Sequence, residues 1–247
     1  SNGLRLRTVL LGDIINSPVV YAGPTDHTAT DTATDNSYST YLVTKAAAKT
    51  GMAAQVLVNG NDGFTNVIEA ASGKRLYAYL PSSTLPLLYT VANTGYINGT
   101  SHTFLNDGQI NVADVQIGTG WKTVAFTGTG AGGKTFSAIQ LYDASVGNTI
   151  NALWEISAPI SNTTTNAFND LGYAYAKPEV ARLPDGRWAA FIANGYGSNS
   201  GVAALYVVNV ADGSLITKLV VDSTEKDNGL SSVKLSVDAN STVVAAY

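Results

Sequence analysis

Cysteine is absent from this 247-residue chain. Disulfides, thiolate metal sites and thiol nucleophiles are excluded with it. Histidine is nearly absent: His27 and His102 are the whole supply. Zinc chemistry needs clustered ligands, and two distant histidines without an HExxH spacing do not provide them. Charge is sparse as well. Only 13% of residues are Asp, Glu, Lys or Arg, the net charge is -4, and no basic block occurs. This composition excludes a phosphate-binding face and a nucleic-acid partner. No apolar run approaches the ~20 residues that span a bilayer, so insertion into a membrane is not expected. The opening SNGLRLR lacks the apolar core and cleavage site of a signal peptide. The closing STVVAAY reads as a strand that stops without a turn or polar tail. Together they predict an internal piece of a longer exported chain.

The chain does contain many apolar residues, 45% of the total, and 24 glycines. The apolar runs are short: AAQVLVNG, KTVAFTG, WAAFIANG and ALYVVNV are β-branched or aromatic and close on Gly or Asn. Such runs predict buried strands. DASVG, PDG, ADG and ASG are turns between them. One segment reads as helix, YSTYLVTKAAAKTG, residues 38–50 with Gly51 as its stop. The Thr-rich run before it, with Asp26, Asp31 and Asp35 unevenly spaced, reads as a surface loop.

Repetition organises the rest. Thr50–Gly63, Thr119–Gly133, Asp185–Ser198 and Asn240–Tyr247 stack on one another as turn, apolar strand and, in the complete copies, Gly-rich turn. A second and a third strand follow three of them, in TNVIEAASGKRLYAYLP, FSAIQLYDASVGNTINALWEIS and ALYVVNVADGSLITKLVV. A short strand precedes three, in GQINVADV, KPEVARL and SSVKLSV. Four strands per unit with Gly-rich turns predict β-propeller blades, because one twisted sheet cannot cover both of its apolar faces alone. The expected fold is one all-β domain over 1–247, a propeller of four-stranded antiparallel blades. About three blades plus fragments are visible, so the ring is not expected to close within this chain. A β-sandwich with coincidental turns is the alternative. The recurring Gly-Trp or Arg-Trp before the strand argues against it.

Catalytic motifs do not assemble. GTGAGGKT lacks the GxxxxGK[ST] context, since a strand and not a helix follows Lys134 and Thr135. GYGSNSG joins two strands and reads as a hairpin turn, with no serine elbow. ASGKRLYAY, with ADGSLITKL as a weaker copy, resembles the quinoprotein repeat. There a turn glycine with positive φ precedes an outer strand whose aromatic docks on the next blade. Trp121, Trp154 and Trp188 read as blade packing. In VDANSTVV, Asp238, Asn240 and Thr242 alternate as oxygen ligands in the manner of a calcium loop. The glycine and the later acid of such a loop are missing. Asp13 and Asn16, in LLGDIINSPVVYAG, stand between two apolar runs and read as holders of turn backbone.

As an ordered set, LLGDIINSPVVYAG, NGNDGFTNVIEAASGKRLYAYLP, HTFLNDGQINVADV, GWKTVAFTGTGAGGKTFSAIQL, DLGYAYAKPEVARLPDGRWAAFIANGYGS and NGLSSVKLSVD resemble the C-terminal propeller of PilY/PilC-type proteins of type IV pili. The resemblance covers nearly the whole chain. It implies a large secreted protein with a quinoprotein-like propeller. That protein promotes pilus assembly, counters retraction and acts at the pilus tip in adhesion. The implied partners are minor pilins or the tip complex, and a host-cell or abiotic surface. The implied location is the pilus tip, cell surface, outer membrane or periplasm. Calcium is the one cofactor the resemblance raises, at Asp238, Asn240 and Thr242. Thr242 stands where the family carries an acid, and FTNVI (Phe64–Ile68) replaces the family's usual Met-Leu-His-Ala-Phe. The expected function is non-enzymatic. A quinone-dependent dehydrogenase propeller and a structural scaffold of a surface assembly are the alternatives.

Overall fold

A computed structural model describes residues 3–9, 11–28, 31–32, 35–96, 102–160 and 165–247. Its strands form three four-stranded sheets and one two-stranded sheet. Blade 1 is the meander β1 (Val20–Ala22), β2 (Gln55–Asn59), β3 (Thr65–Glu69) and β4 (Arg75–Tyr79), with helix α1 (Ser37–Lys45) inserted between β1 and β2. A 3-10 turn (Ser82–Thr84) and helix α2 (Leu85–Ala92) follow β4. Blade 2 is β5 (Ile110–Ile117), β6 (Gly120–Gly128), β7 (Thr135–Asp143) and β8 (Asn151–Ser157). Blade 3 is β9 (Glu179–Arg182), β10 (Trp188–Ala193), β11 (Ala203–Asn209) and β12 (Leu215–Asp222). A final pair, β13 (Leu235–Val237) and β14 (Val243–Ala246), occupies the place of the first two strands of another blade.

Every ladder is antiparallel and joins strands adjacent in the chain. These are propeller blades, they do not close a ring, and the expected fold stands with one correction. The sequence predicts one helix over 38–50, whereas the structure has two. The first stops at Lys45, because the Lys45 carbonyl accepts the N–H of Met52 at 2.8 Å and the chain turns. The second, α2, carries its proline in the first turn, where the missing N–H costs nothing.

Burial follows position in the stack. All nine residues of β7 and all six of β10 are buried, as expected of strands covered on both faces. In β12 the apolar Leu219, Val220 and Val221 are exposed. Blades dock through outer-strand aromatics. Trp154 on β8 donates its Nε1–H to the Val210 carbonyl of blade 3 at 2.8 Å. Its indole lies on the turn glycine Gly213, whose φ is +72° and where an added Cβ would sit 2.9 Å from the ring. Tyr79 on β4 reaches across in the same sense to donate to Glu155 on β8. The quinoprotein-like turn therefore works here as a blade fastener.

The two ends of the blade stack differ. At the starts of β2, β6 and β10 the α1 insertion covers the sheets; this is the capped end. At the opposite, open end lie the β2–β3, β6–β7 and β10–β11 loops, crossed closely by the segments that lead into each blade. An added Cβ on Gly108 would sit 2.1 Å from the Gly128 carbonyl oxygen, so only glycine passes there.

Candidate binding surface

At the capped end the central residue is Asp114 of β5, the one charged residue of that strand and fully buried. Lys45 donates to both of its oxygens, at 2.8 and 3.1 Å. The Tyr38 hydroxyl donates at 2.7 Å, Thr123 at 2.7 Å and the His27 backbone N–H at 3.1 Å. Trp121 donates to the Ser37 hydroxyl at 2.9 Å and packs between Tyr38 and Trp188. Burial lowers the Lys45 pKa, and Asp114 pulls it partly back. Burial also lowers that of His27, with the Lys45 charge adding to it. Burial, then the Asp114 charge, raises the Tyr38 pKa far above the usual phenol value. With every acceptor site engaged, Asp114 holds the cap in place and is unavailable as a base. The signal for it in the sequence is the lone acid inside INVADVQI.

The remaining sequence-predicted positions fall into place around this frame. His27 and His102 lie at opposite ends and share no site. His102 pairs with Asp13 at 2.8 Å. Asp13 also accepts from Asn61 at 3.1 Å. Partial burial would raise the Asp13 pKa, but His102 and Asn61 outweigh it and the net shift is downward. Asn16 donates to Asp107 through its backbone at 2.9 Å and its side chain at 2.6 Å. Asp13 and Asn16 thus brace the lead-in to blade 1 by pairing with the distant side chains of His102, Asn61 and Asp107, and not by holding turn backbone as the sequence suggests.

Asp238, Asn240 and Thr242 meet in the β13–β14 hairpin. One Asp238 oxygen accepts the backbone N–H groups of Asn240 and Thr242, at 2.8 and 2.9 Å. Those two bonds lower the carboxyl pKa of this fully exposed group. Calcium takes about six to eight oxygens. The hairpin offers one carboxylate, half of it engaged, and no cluster of three acids or histidines occurs among the described residues. The donor set does not fit a calcium loop; it fits a turn fastened by its own aspartate.

The open end shows another chemistry. Tyr173, Tyr175 and Tyr196 are 42, 50 and 52% exposed. The first two rings lie 6.3 Å apart. Lys134, from the GTGAGGKT turn, donates to the Gly197 carbonyl and lies 5.8 Å from the Tyr173 ring. No phosphate-loop helix follows; β7 begins at Thr135, as the turn reading requires.

Stacked four-stranded meanders, one of them fastened by an outer-strand indole on the next blade's turn glycine, define a β-propeller domain. Within that class the chain belongs to the PilY1 beta-propeller domain family, whose model matches residues 11–247. It is 36% identical to the type IV pilus biogenesis factor PilY1 of Pseudomonas aeruginosa over 251 aligned positions, covering 100% of this chain and 20% of that protein. A PilY1 homolog of Xylella fastidiosa is 33% identical over 85% of this chain and 14% of its own length. The crystal structure of the P. aeruginosa PilY1 C-terminal domain superposes with a TM-score of 0.65 at 33% identity, covering 85% of this chain and 38% of that one. The chain spans a fifth or less of the length of these curated relatives.

Proposed function

We propose that this propeller is the display portion of an exported, non-enzymatic type IV pilus factor that supports pilus biogenesis and surface attachment from the pilus tip. The observation that carries the reading is the 36% identity, along the whole of this chain, to a fifth of a protein named type IV pilus biogenesis factor PilY1. Two features of the chain support it. The acids and histidines singled out in the sequence are engaged in turn, cap and ion-pair bonds, which leaves the open-end loops to recognise a partner. Tyrosines on those loops supply broad contact area at small entropic cost. Minor pilins or the tip complex on one side, and a host-cell or abiotic surface on the other, are the partners that suit this role. No helix among the described residues is long and apolar enough to cross a membrane.

The test is an in-frame deletion of this segment from its full-length protein in the producing bacterium. Counts of surface pili and of attached cells are expected to fall together and to recover with the intact gene. Normal piliation in the deletion strain would overturn the biogenesis role. Normal attachment would overturn the adhesive one.

A further inference from the structure

At the open end, blades 1, 2 and 3 frame a cleft of about 290 Å³. Ser82 and Ser83 come from the turn after β4, Lys134 and Thr135 from the start of β7, and Asn199 from the β10–β11 loop. Its remaining wall is Ser157, at the end of β8, and the Ala158–Ile160 segment that follows. Two hydroxyls lining it, Ser83 Oγ and Thr135 Oγ1, are buried and have no hydrogen-bond partner, and Thr135 itself has no exposed surface. A buried hydroxyl without a partner is costly, and such groups collect where a ligand completes them. The Ser82 hydroxyl and N–H are instead spent on Glu155, which fixes the rim.

We infer that this cleft, with the Tyr173 ring that lies beside its Lys134 wall, is a binding site for a neutral carbohydrate. A hydroxyl both donates and accepts, so two unpartnered hydroxyls in one cleft are best completed by groups that do the same, and sugar hydroxyls are such groups. A carboxylate or phosphate only accepts, and the one ammonium at the site, Lys134, is already held by the Gly197 carbonyl and lies near the Tyr173 ring. The net charge of -4 also disfavours an anion. The aliphatic Ala158–Ile160 wall and the exposed tyrosine faces suit the C–H faces of a pyranose ring. The volume lies near the lower end, about 300 Å³, of small-molecule sites, which suits a sugar ring rather than a folded peptide. The inference deepens the attachment reading above and rests on it for its biological setting, although the cleft chemistry stands by itself.

The test uses the full-length protein and saturation-transfer NMR with neutral hexose, N-acetylhexosamine and uronic-acid oligomers. The variants Thr135→Val and Tyr173→Ala accompany it, with melting curves and bacterial attachment read in parallel. Neutral oligomers are expected to bind, and each variant to lose about tenfold in affinity. Thr135→Val is expected to melt no lower than the parent, because the hydroxyl it removes makes no internal bond. Absence of a saccharide signal at millimolar oligomer, or binding unchanged in both variants, would overturn the inference. Preference for the uronic acid would replace the neutral ligand with an anionic one and overturn it too. Attachment by a parent protein that itself gives no saccharide signal overturns the site and leaves the attachment reading standing. Saccharide binding present in the parent and lost in Thr135→Val, with attachment unchanged, supports the site and shows that attachment does not run through it.

Discussion

The capped and open ends of this propeller use the same few residue types to opposite effect. At the capped end an acid, a lysine and two tyrosines are buried together, and Asp114 is surrounded by donors from the insertion and the next strand. Gln55 and Trp188 also carry an unpartnered atom there, each buried as deeply as the Thr135 hydroxyl. At the open end the tyrosines are half exposed, and the unpartnered hydroxyls of Ser83 and Thr135 lie just beneath a cleft that both residues help to line. Polar groups that hold a fold together satisfy one another. Polar groups that await a ligand are left incomplete where something can reach them.

Four measurements sharpen or break that contrast. Asp114→Ala leaves the buried Lys45 ammonium uncompensated and is expected to cost about 3–5 kcal/mol in chemical denaturation. A loss below about 1 kcal/mol would mean the capped end does not depend on its acid. Gly108→Ala at the open end forces a Cβ onto the Gly128 carbonyl, and an expected loss of about 1–3 kcal/mol follows. Its control is Gly120→Ala, where nothing lies within 4 Å and the change is expected to be neutral to about 0.5 kcal/mol stabilising. Equal losses from the two would remove the close crossing as the cause.

Acid separates the ends as well. Burial alone would raise the Asp143 carboxyl, but Lys122 and Ser145 lower it overall. A lowered carboxyl contributes stability that is full above its unfolded pKa of about 3.9 and is lost as the pH falls through the native value. Melting temperature is therefore expected to drop below about pH 4. Lys122→Met should flatten that drop more than His102→Gln, because the Asp13 partner of His102 is 48% exposed and its charge is better screened. The reverse order would contradict the assignment. Smallest of all, Asp238→Ala is expected to leave the denaturation midpoint nearly unchanged, as suits a turn fastener on the surface. Calcium calorimetry is expected to show no heat that depends on Asp238, and a heat signal lost in the variant would show a working calcium loop.

What the sequence made legible is local. The strands of each blade, their Gly-rich turns and the unclosed ring follow from short apolar runs punctuated by turn residues. The docking of an outer-strand aromatic follows from a turn motif that repeats. The end of α1 was not legible. Ala46, Ala47 and Ala48 favour helix by propensity, yet the Lys45 carbonyl is diverted to Met52 once the lysine is drawn into the core. Helix α2 left only a faint trace, Thr84 followed by Leu85 and Pro86, in a segment otherwise rich in leucine. The Lys45–Asp114 pair joins residues 69 positions apart, and the cleft draws its walls from three blades. No local pattern announces contacts of that kind.

The nearest-neighbour ladders also carry a consequence for the order of assembly. Blades 2 and 3, and β2–β4 of blade 1, close only short loops, so those strands can pair before the rest of the chain is placed. The cap depends on distant partners, up to the Ser241 hydroxyl that donates to the Thr28 carbonyl 213 positions away. Such closure comes late, after the blades exist to receive it. Contacts made after the rate-limiting step govern how long the native state survives and leave the speed of folding nearly unchanged. On that footing the α1 insertion acts as a kinetic latch, holding together blades that had already formed without it.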